Sequence, residues 1–175
     1  MTEKILICGR SGSGKDTFAK LLKSFGLKDV CSYTTRPRRD GEGDTHTFIT
    51  EKEVKNYSNK IAVTEINGYT YFATKEQLEE ADYYIIDPNG IEYLHSHFPE
   101  IKYRIVYIYA DRKIRKQRAI SRGGAKERSI FISRDKSENE QFSKFEKNLY
   151  KTNVTVFVNN EDDIENLKKF AKMYL

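Results

Sequence analysis

The sequence predicts an α/β fold with a parallel, five-stranded sheet flanked by helices. One observation is the order of a buried strand at residues 5–8, a glycine-rich loop and a helix that begins near Phe18. A second is that apolar, strand-like runs alternate with helical segments along the chain. The later runs lie at residues 27–33, 83–87, 103–109 and 154–158. At 175 residues the chain has the length of one domain with one buried core.

The glycine-rich loop has the composition of a phosphate-binding site. Its glycines let the backbone turn so that several N–H groups point inward, at the positive end of the following helix. Lys15 adds a mobile positive charge for the outer phosphates. The alternative is a flexible Gly/Ser turn, but Gly-x4-Gly-Lys between a strand and a helix favours a P-loop NTPase fold. The predicted phosphate-binding residues are Gly9, Ser11, Gly12, Ser13, Gly14, Lys15, Asp16 and Thr17.

Asp16 departs from the full pattern, which ends in Ser or Thr because that hydroxyl ligates the magnesium carried by the nucleotide. A carboxylate is also a hard oxygen ligand, so Asp16 can hold Mg²⁺ directly or through water. We therefore expect metal dependence, with Asp16 as the metal residue. Thr17 supplies the next hydroxyl and is predicted to contact phosphate.

Composition narrows the class of protein. No apolar run approaches the roughly 20 residues of a membrane helix, and no signal-like segment opens the sequence, so a cytoplasmic protein is expected. The two cysteines are interpreted as small buried hydrophobes rather than a disulfide or metal site. A net charge of +5 fits nucleic acid or small phosphorylated substrates. The arginines lie in two discrete segments, which favours the small substrates.

The first arginine segment, at residues 34–44, is polar, broken by Pro and Gly, and too long for a tight connection. Its three arginines would repel one another unless an anion lies among them; the alternative is a solvated basic loop. Short strands, a turn at Asn67-Gly68 and a helix at residues 75–80 follow. Residues 34–81 are therefore predicted to be a small segment inserted into the main sheet.

The second arginine segment is a helix with Arg115, Arg118 and Arg122, which Gly123-Gly124 breaks before a further helix containing Arg134. Like charges on one helix face destabilise it unless an anion is shared, so residues 118–136 are predicted to be a mobile lid over phosphates. The alternative is a solvated basic face. The predicted core comprises residues 1–33, 82–117 and 137–175, with Asp162 or Asp163 capping the last helix.

Asp87 follows the strand at residues 83–87, and an acid at that end of a strand points into the ligand crevice of an open α/β sheet. A turn or capping role is the alternative interpretation.

Together these features resemble the guanylate kinase family of nucleoside monophosphate kinases over nearly the whole chain. The most specific match is Ser32-x-Thr34-Thr35-Arg36-x-x-Arg39-x-Gly41-Glu42. The others are the glycine loop, Gly68-x-x-Tyr71, Arg118-x-x-x-Arg122-Gly123 and Val156-Phe157-Val158-Asn159-Asn160.

The resemblance implies ATP-dependent phosphorylation of GMP or dGMP, with ATP and Mg²⁺ as cofactors. It implies that Arg36 and Arg39 bind the acceptor phosphate with help from Tyr71, and that Ser32 and Asp87 face the guanine. The implied catalytic residues are Lys15, Arg118, Arg122 and Arg134, and Asn159 joins the glycine loop in the ATP-binding set. The expected partners are small nucleotide substrates, and binding to nucleic acid or to a membrane is not expected. The expected oligomeric state is a monomer or a homodimer.

Departures from the family pattern concern the substrate. His46 stands where the family has a phosphate-binding tyrosine, and Ala62 stands where it has the glutamate that recognises guanine. Glu65 is close enough for a small shift to recruit it, so His46 and Glu65 stay in the predicted substrate set. Asp16 and His46 also resemble ribose 1,5-bisphosphate kinase, a relative that lacks the Arg36-x-x-Arg39 arrangement. That kinase and a non-catalytic guanylate-kinase-like interaction module are the alternatives, although such modules typically lose the phosphate loop.

Overall fold

The computed structural model describes residues 3–38, 42–66, 68–149, 153–161 and 163–175. The strands in these residues are β1 Lys4–Cys8, β2 Tyr33–Thr34, β3 Thr47–Phe48, β4 Lys60–Ile66, β5 Tyr69–Thr74, β6 Tyr83–Ile85, β7 Tyr103–Tyr109 and β8 Val154–Val158. The α-helices are α1 Lys15–Ser24, α2 Lys75–Glu80, α3 Pro88–His97, α4 Arg112–Lys147 and α5 Ile164–Lys172.

The main sheet is parallel, with four strands in the order β6-β1-β7-β8. Side chains alternate between its faces, and both faces are covered by helices, as is usual for parallel sheets. On one face Ile5 and Ile7 pack with Phe18 of α1 and Leu167 of α5. The opposite face holds a second cluster, which comprises Leu6, Cys8, Ile105, Tyr107, Leu94 of α3 and Phe142 of α4 among others. The predicted parallel α/β sheet flanked by helices is confirmed.

The expected fifth strand, at residues 27–33, is replaced by a single parallel bridge between Asp29 and Tyr83 at the edge of β6. Beyond Val30, which is buried, the chain leaves this edge because Tyr33 pairs with Phe72 of β5 instead. The ring of Tyr33 stacks on that of Phe72 with centroids 5.2 Å apart. Aromatic packing in the second sheet therefore ends the pairing with the main sheet.

A second sheet, in the order β3-β2-β5-β4, is built from residues 33–74. β4 and β5 are antiparallel, as the predicted hairpin requires, and Gly68 has a φ of 76°; Asn67 lies outside the described residues. Thr74 and Gln77 form a reciprocal capping box at the start of α2. The division of the chain into core, insert and lid stays a prediction.

Helix α4 has two halves, because Gly123 and Gly124 leave helical geometry and Gly124 has a φ of 61°. The predicted break at these glycines is confirmed.

Asp163 accepts a hydrogen bond from the Asn166 amide and caps α5, whereas the other expected cap, Asp162, lies outside the described residues. Cys8 is buried and Cys31 partly buried, and both are free thiols. No helix within the described ranges is long and apolar enough to cross a membrane.

Candidate active site

The glycine loop lies between β1 and α1, and its geometry requires glycine at several positions. Gly12 and Gly14 have φ angles of 81° and 101°, in the region that glycine favours. A Cβ atom on Gly9 would lie 2.6 Å from the Ile108 carbonyl oxygen, and one on Gly14 would lie 2.3 Å from Asn159 Nδ2. The loop is therefore pressed closely against β7 and the segment that follows β8.

The N-terminus of α1 is available to an anion. Gly14 occupies the cap position, and no side chain of the described residues accepts a hydrogen bond from the first-turn amides. Uncapped N–H groups at a helix N-terminus carry partial positive charge. Lys15 begins the helix, and its Nζ atom lies 3.7 Å from a carboxylate oxygen of Asp16. The predicted phosphate site therefore has its donors at the start of α1.

The outer side of the loop is held by hydrogen bonds to its carbonyl groups. Asn159 Nδ2 donates to the Ser13 carbonyl at 2.8 Å. Arg118 donates to the carbonyls of Gly12 and Ser13 at 3.2 and 3.3 Å and to that of Asn159 at 2.7 Å. The Ser13 amide donates to the Arg10 carbonyl within the loop, and the Ser13 side chain is buried. Arg118 and Asn159 thus fix the loop backbone in addition to any contact with a ligand.

A cavity of about 590 Å³ lies beside the loop, between the first half of α4 and the residues that follow β8. Its lining brings together Gly12, Gly14, Asp16, Thr17, Arg118, Arg122 and Asn159, all predicted site residues. We name it the donor cavity. Arg134, by contrast, lines neither this cavity nor a smaller one on the other side of the loop.

A smaller cavity of about 180 Å³ lies between the glycine loop and the second sheet, and we name it the acceptor cavity. Lys15 and Gly9 line it from the loop. From the other side it is lined by the predicted substrate residues Ser32, His46, Tyr71 and Asp87. The loop that carries Lys15 therefore lies between two cavities.

Polar groups in the acceptor cavity are organised in pairs. Ser32 Oγ and His46 Nδ1 are hydrogen-bonded at 2.9 Å. Thr64 Oγ1 donates to Asp87 Oδ2 at 3.1 Å, while Asp87 Oδ1 accepts the Gly90 amide at 3.0 Å and caps α3. Burial raises the pKa of Asp87 above its ordinary value, although these hydrogen bonds oppose the shift. Asp87 combines both roles considered for it: it caps a helix and faces a cavity.

Arg36 lies outside the acceptor cavity, and its guanidinium is bound to a carboxylate of the chain itself. Both Glu42 oxygens accept from Arg36 at 2.8 Å, and Tyr71 Oη accepts from Arg36 Nε at 3.2 Å. The hydrogen bonds that Arg36 donates to the Glu42 carboxylate are the main cause that raises the pKa of Arg36. The anion expected among these arginines is thus supplied in part by Glu42. Arg39 lies outside the described residues.

Glu65 is exposed and lines a separate cavity, so the structure does not bring it to Asp87. Ala62 is buried with a φ of 50°, in an irregularity between Ile61 and Thr64 where the register of β4 and β5 shifts. This shift places Thr64, rather than Glu65, beside Asp87 in the acceptor cavity. The substrate role of Glu65 stays a prediction.

Sequence reasoning missed a row of carboxylates on the second half of α4 that contacts the glycine loop and its neighbours. Glu138 accepts from the Ser11 amide at 3.0 Å and from Ser11 Oγ at 2.5 Å. Glu146 binds Arg10 with both oxygens, at 2.8 and 2.9 Å, and also accepts from Tyr107.

Asp135, in the same row, joins the two halves of α4. Its two oxygens accept from Arg115 at 2.9 Å and from Arg112 at 2.6 Å. Arg115 is buried and also donates to the Ser11 carbonyl at 3.2 Å. The signal for the row was the spacing of residues 135, 138 and 146, which places all three on one helix face.

Fold and site define the class of protein: this is a P-loop domain of the kinase-like type. A family model described as an AAA domain matches residues 5–143, and the chain belongs to that family. No curated protein sequence matches the chain.

Solved structures share the fold at low sequence identity. A guanylate kinase from Anaplasma phagocytophilum is 18% identical, with a TM-score of 0.63, over 98% of this chain and 84% of that one. TT1252 from Thermus thermophilus is 18% identical, with a TM-score of 0.51, over 98% of this chain and 95% of that one. These likenesses support the P-loop kinase fold and leave the substrate open.

Proposed function

We propose that the chain is an ATP-dependent nucleoside monophosphate kinase whose acceptor is GMP or dGMP. The observation that carries the proposal is the position of the glycine loop, with Lys15 at the start of α1, between the donor and acceptor cavities. Phosphoryl transfer needs two substrates held in line, neutralised charge and little covalent help from protein. A cationic loop between two cavities is suited to that task.

The residues of the donor cavity fit ATP with magnesium. The uncapped amides at the start of α1 suit the phosphates, and Arg122 lines this cavity. Lys15 begins the same helix and lines the acceptor cavity, where it suits the outermost phosphate. No cluster of three or more His, Cys, Asp or Glu able to hold a metal occurs in the described part of the chain. Magnesium needs no such cluster, because one carboxylate and the phosphate oxygens of its nucleotide suffice. Asp16, exposed at the cavity wall, is the residue that would hold it.

The acceptor cavity offers groups of the type that guanine requires. Guanine presents the O6 acceptor beside N1–H and N2–H donors, which a hydroxyl and a carboxylate can bind. Ser32 and Asp87 are such groups, and Thr64 orients the Asp87 carboxylate. Since Glu65 lies elsewhere, we propose looser base selection than a second carboxylate would give.

A second candidate, phosphorylation of ribose 1,5-bisphosphate, is favoured by two observations. His46 is hydrogen-bonded to Ser32 inside the acceptor cavity, as suits a polar ligand without a base. Arg36, the expected ligand of a nucleotide phosphate, is bound to Glu42 outside that cavity. A non-catalytic interaction module is the further alternative, which the retained loop and Lys15 argue against.

The test is a coupled assay of ADP formation with ATP and Mg²⁺ across GMP, dGMP, AMP, CMP, UMP, dTMP and ribose 1,5-bisphosphate. We expect the highest kcat/KM with GMP or dGMP. A strong preference for ribose 1,5-bisphosphate would select the second candidate, and preference for another base would contradict the guanine assignment. Absence of turnover with every acceptor would favour the interaction module.

A further inference from the structure

The Glu138 carboxylate binds two donors of the glycine loop, the amide and the hydroxyl of Ser11, at 3.0 and 2.5 Å. We propose that Glu138 is an internal competitor for the terminal phosphate of ATP: it binds donors that this phosphate would bind and is displaced when the triphosphate enters. The inference rests on the proposed function, because it requires the loop to bind ATP.

The contacts of Glu138 are those an anionic ligand would make. Loop amides and hydroxyls of this kind bind phosphate oxygens, and a carboxylate oxygen is an acceptor of the same charge and hydrogen-bonding type. Ser11 is one of the predicted phosphate-binding residues. The carboxylate therefore satisfies, from within the chain, donors that the loop presents to anions.

Glu138 differs from Asp135 and Glu146, the other two carboxylates of the row, in the charge of its partner. Asp135 is bound to Arg115 and Arg112, and Glu146 to Arg10, so arginines neutralise both. Glu138 forms no ion pair with any described residue, and its described partner is the neutral Ser11. Asp135 and Glu146 therefore fix the helix, whereas Glu138 contributes a carboxylate that no cationic side chain in the described part of the chain neutralises.

The location of Glu138 identifies the outermost phosphate as its competitor. Inner phosphates of a bound nucleotide lie against the amides at the start of the following helix. Glu138 instead reaches Ser11 beside the acceptor cavity, which it lines together with Lys15. The phosphate nearest the acceptor is the one to be transferred. Two anions cannot share the Ser11 donors, so this phosphate and Glu138 exclude each other.

The consequence is that Glu138 weakens binding of a triphosphate but not of a diphosphate. Titration calorimetry should compare ADP with an ATP analogue that has an imido bridge between its β- and γ-phosphates, both with Mg²⁺. For Glu138→Gln we expect triphosphate affinity to rise about tenfold, the scale of one charge-assisted hydrogen bond, and ADP affinity to stay within about twofold. Glu140→Gln, an exposed acid on the same helix, is the matched control and should change neither.

Loss of affinity for both nucleotides, or an unchanged ratio of the two affinities, would overturn the inference while leaving the proposed function intact. Failure of the unaltered protein to bind either nucleotide would overturn the proposed function and the inference with it. If Glu138→Gln fails to fold, Glu138→Asp provides the second test: its shorter side chain retracts the carboxylate from Ser11, and the triphosphate should again gain affinity over ADP.

Discussion

At the scale of single residues, Asp87 combines a structural and a chemical role. Its Oδ1 caps α3 through the Gly90 amide, and its Oδ2 accepts from Thr64 in the acceptor cavity. An Asn amide in this position could accept from the Gly90 amide with its oxygen and donate to the Thr64 hydroxyl with its nitrogen, without a buried negative charge. Asp87 therefore carries a charge that the fold does not require, which is expected of a substrate-binding group.

Replacing Asp87 by Asn should separate the two roles. We expect kcat/KM for GMP to fall about ten- to hundredfold, because a charge-assisted hydrogen bond to the base is lost. The free energy of unfolding at pH 7 should be no lower than that of the unaltered protein, since an amide can still cap α3. Chemical denaturation and steady-state kinetics on the same preparations measure both quantities.

The raised pKa of Asp87 also predicts how the stability of the Asp87→Asn variant changes with pH, relative to the unaltered protein. Burial raises the pKa of Asp87 in the folded state, so the folded chain binds this proton more tightly than the unfolded chain. The contribution of Asp87 to stability therefore falls as the pH rises from the ordinary value of 3.8 through the raised pKa. The stability of the variant relative to the unaltered protein should increase over that interval. A variant that unfolds more easily at pH 7 and retains full activity would contradict the assignment.

At the scale of elements, the second half of α4 is joined to the glycine loop by an ion pair and by hydrogen bonds, rather than by apolar packing alone. The Arg10 and Glu146 side chains are only 9% and 27% exposed. Burial opposes ionisation of Glu146, but hydrogen bonds from Arg10 and Tyr107 outweigh it and hold its pKa below the ordinary value. This contact should therefore stabilise the charged form of Glu146 and the position of the loop.

We expect Glu146→Gln to lower the free energy of unfolding at pH 7 by about 2 kcal/mol, the scale of a charged group left with a poorer partner. Because the folded pKa is lowered, the stabilisation is present above the ordinary value of 4.5 and is lost as the pH falls through the folded pKa. The difference between variant and unaltered protein should shrink in acid. Urea unfolding at a series of pH values checks it.

The matched control for Glu146 is Glu92→Gln, which breaks the pair between Glu92 of α3 and Lys144 of α4. Both side chains there are more than 60% exposed, at 62% and 69%. Exposed pairs contribute about 0–1 kcal/mol, so this change should be nearly neutral. An equal loss of unfolding free energy in Glu146→Gln and Glu92→Gln would mean that the partly buried Arg10–Glu146 contact stabilises the fold no more than an exposed ion pair.

At the scale of the whole molecule, local signals predicted much of the framework. The glycine loop, the break at Gly123 and Gly124 and the cap at Asp163 follow from residue type and short spacing, and the structure has each of them. The parallel sheet follows from the alternation of apolar runs with helices. These features depend on neighbours a few residues apart, which a sequence displays directly.

Contacts between distant segments could not be predicted in the same way. Glu138 meets Ser11 across 127 positions, and Glu146 meets Arg10 across 136. The strand expected at residues 27–33 ends early because Tyr33 pairs with Phe72 in another sheet, a tertiary preference that overrides local pattern. The irregularity at Ala62 likewise decides that Thr64, not Glu65, faces Asp87.

The measurement that tests the central claim most directly is the rate of phosphoryl transfer from ATP to GMP by Lys15→Ala, compared with Lys23→Ala. Lys15 lines the acceptor cavity at the start of α1, whereas Lys23 is exposed at the far end of the same helix. We predict that kcat falls by about two orders of magnitude or more for Lys15→Ala and is unchanged for Lys23→Ala, with both proteins folded by circular dichroism. Unchanged turnover in a folded Lys15→Ala protein would contradict the proposal that this loop transfers phosphate.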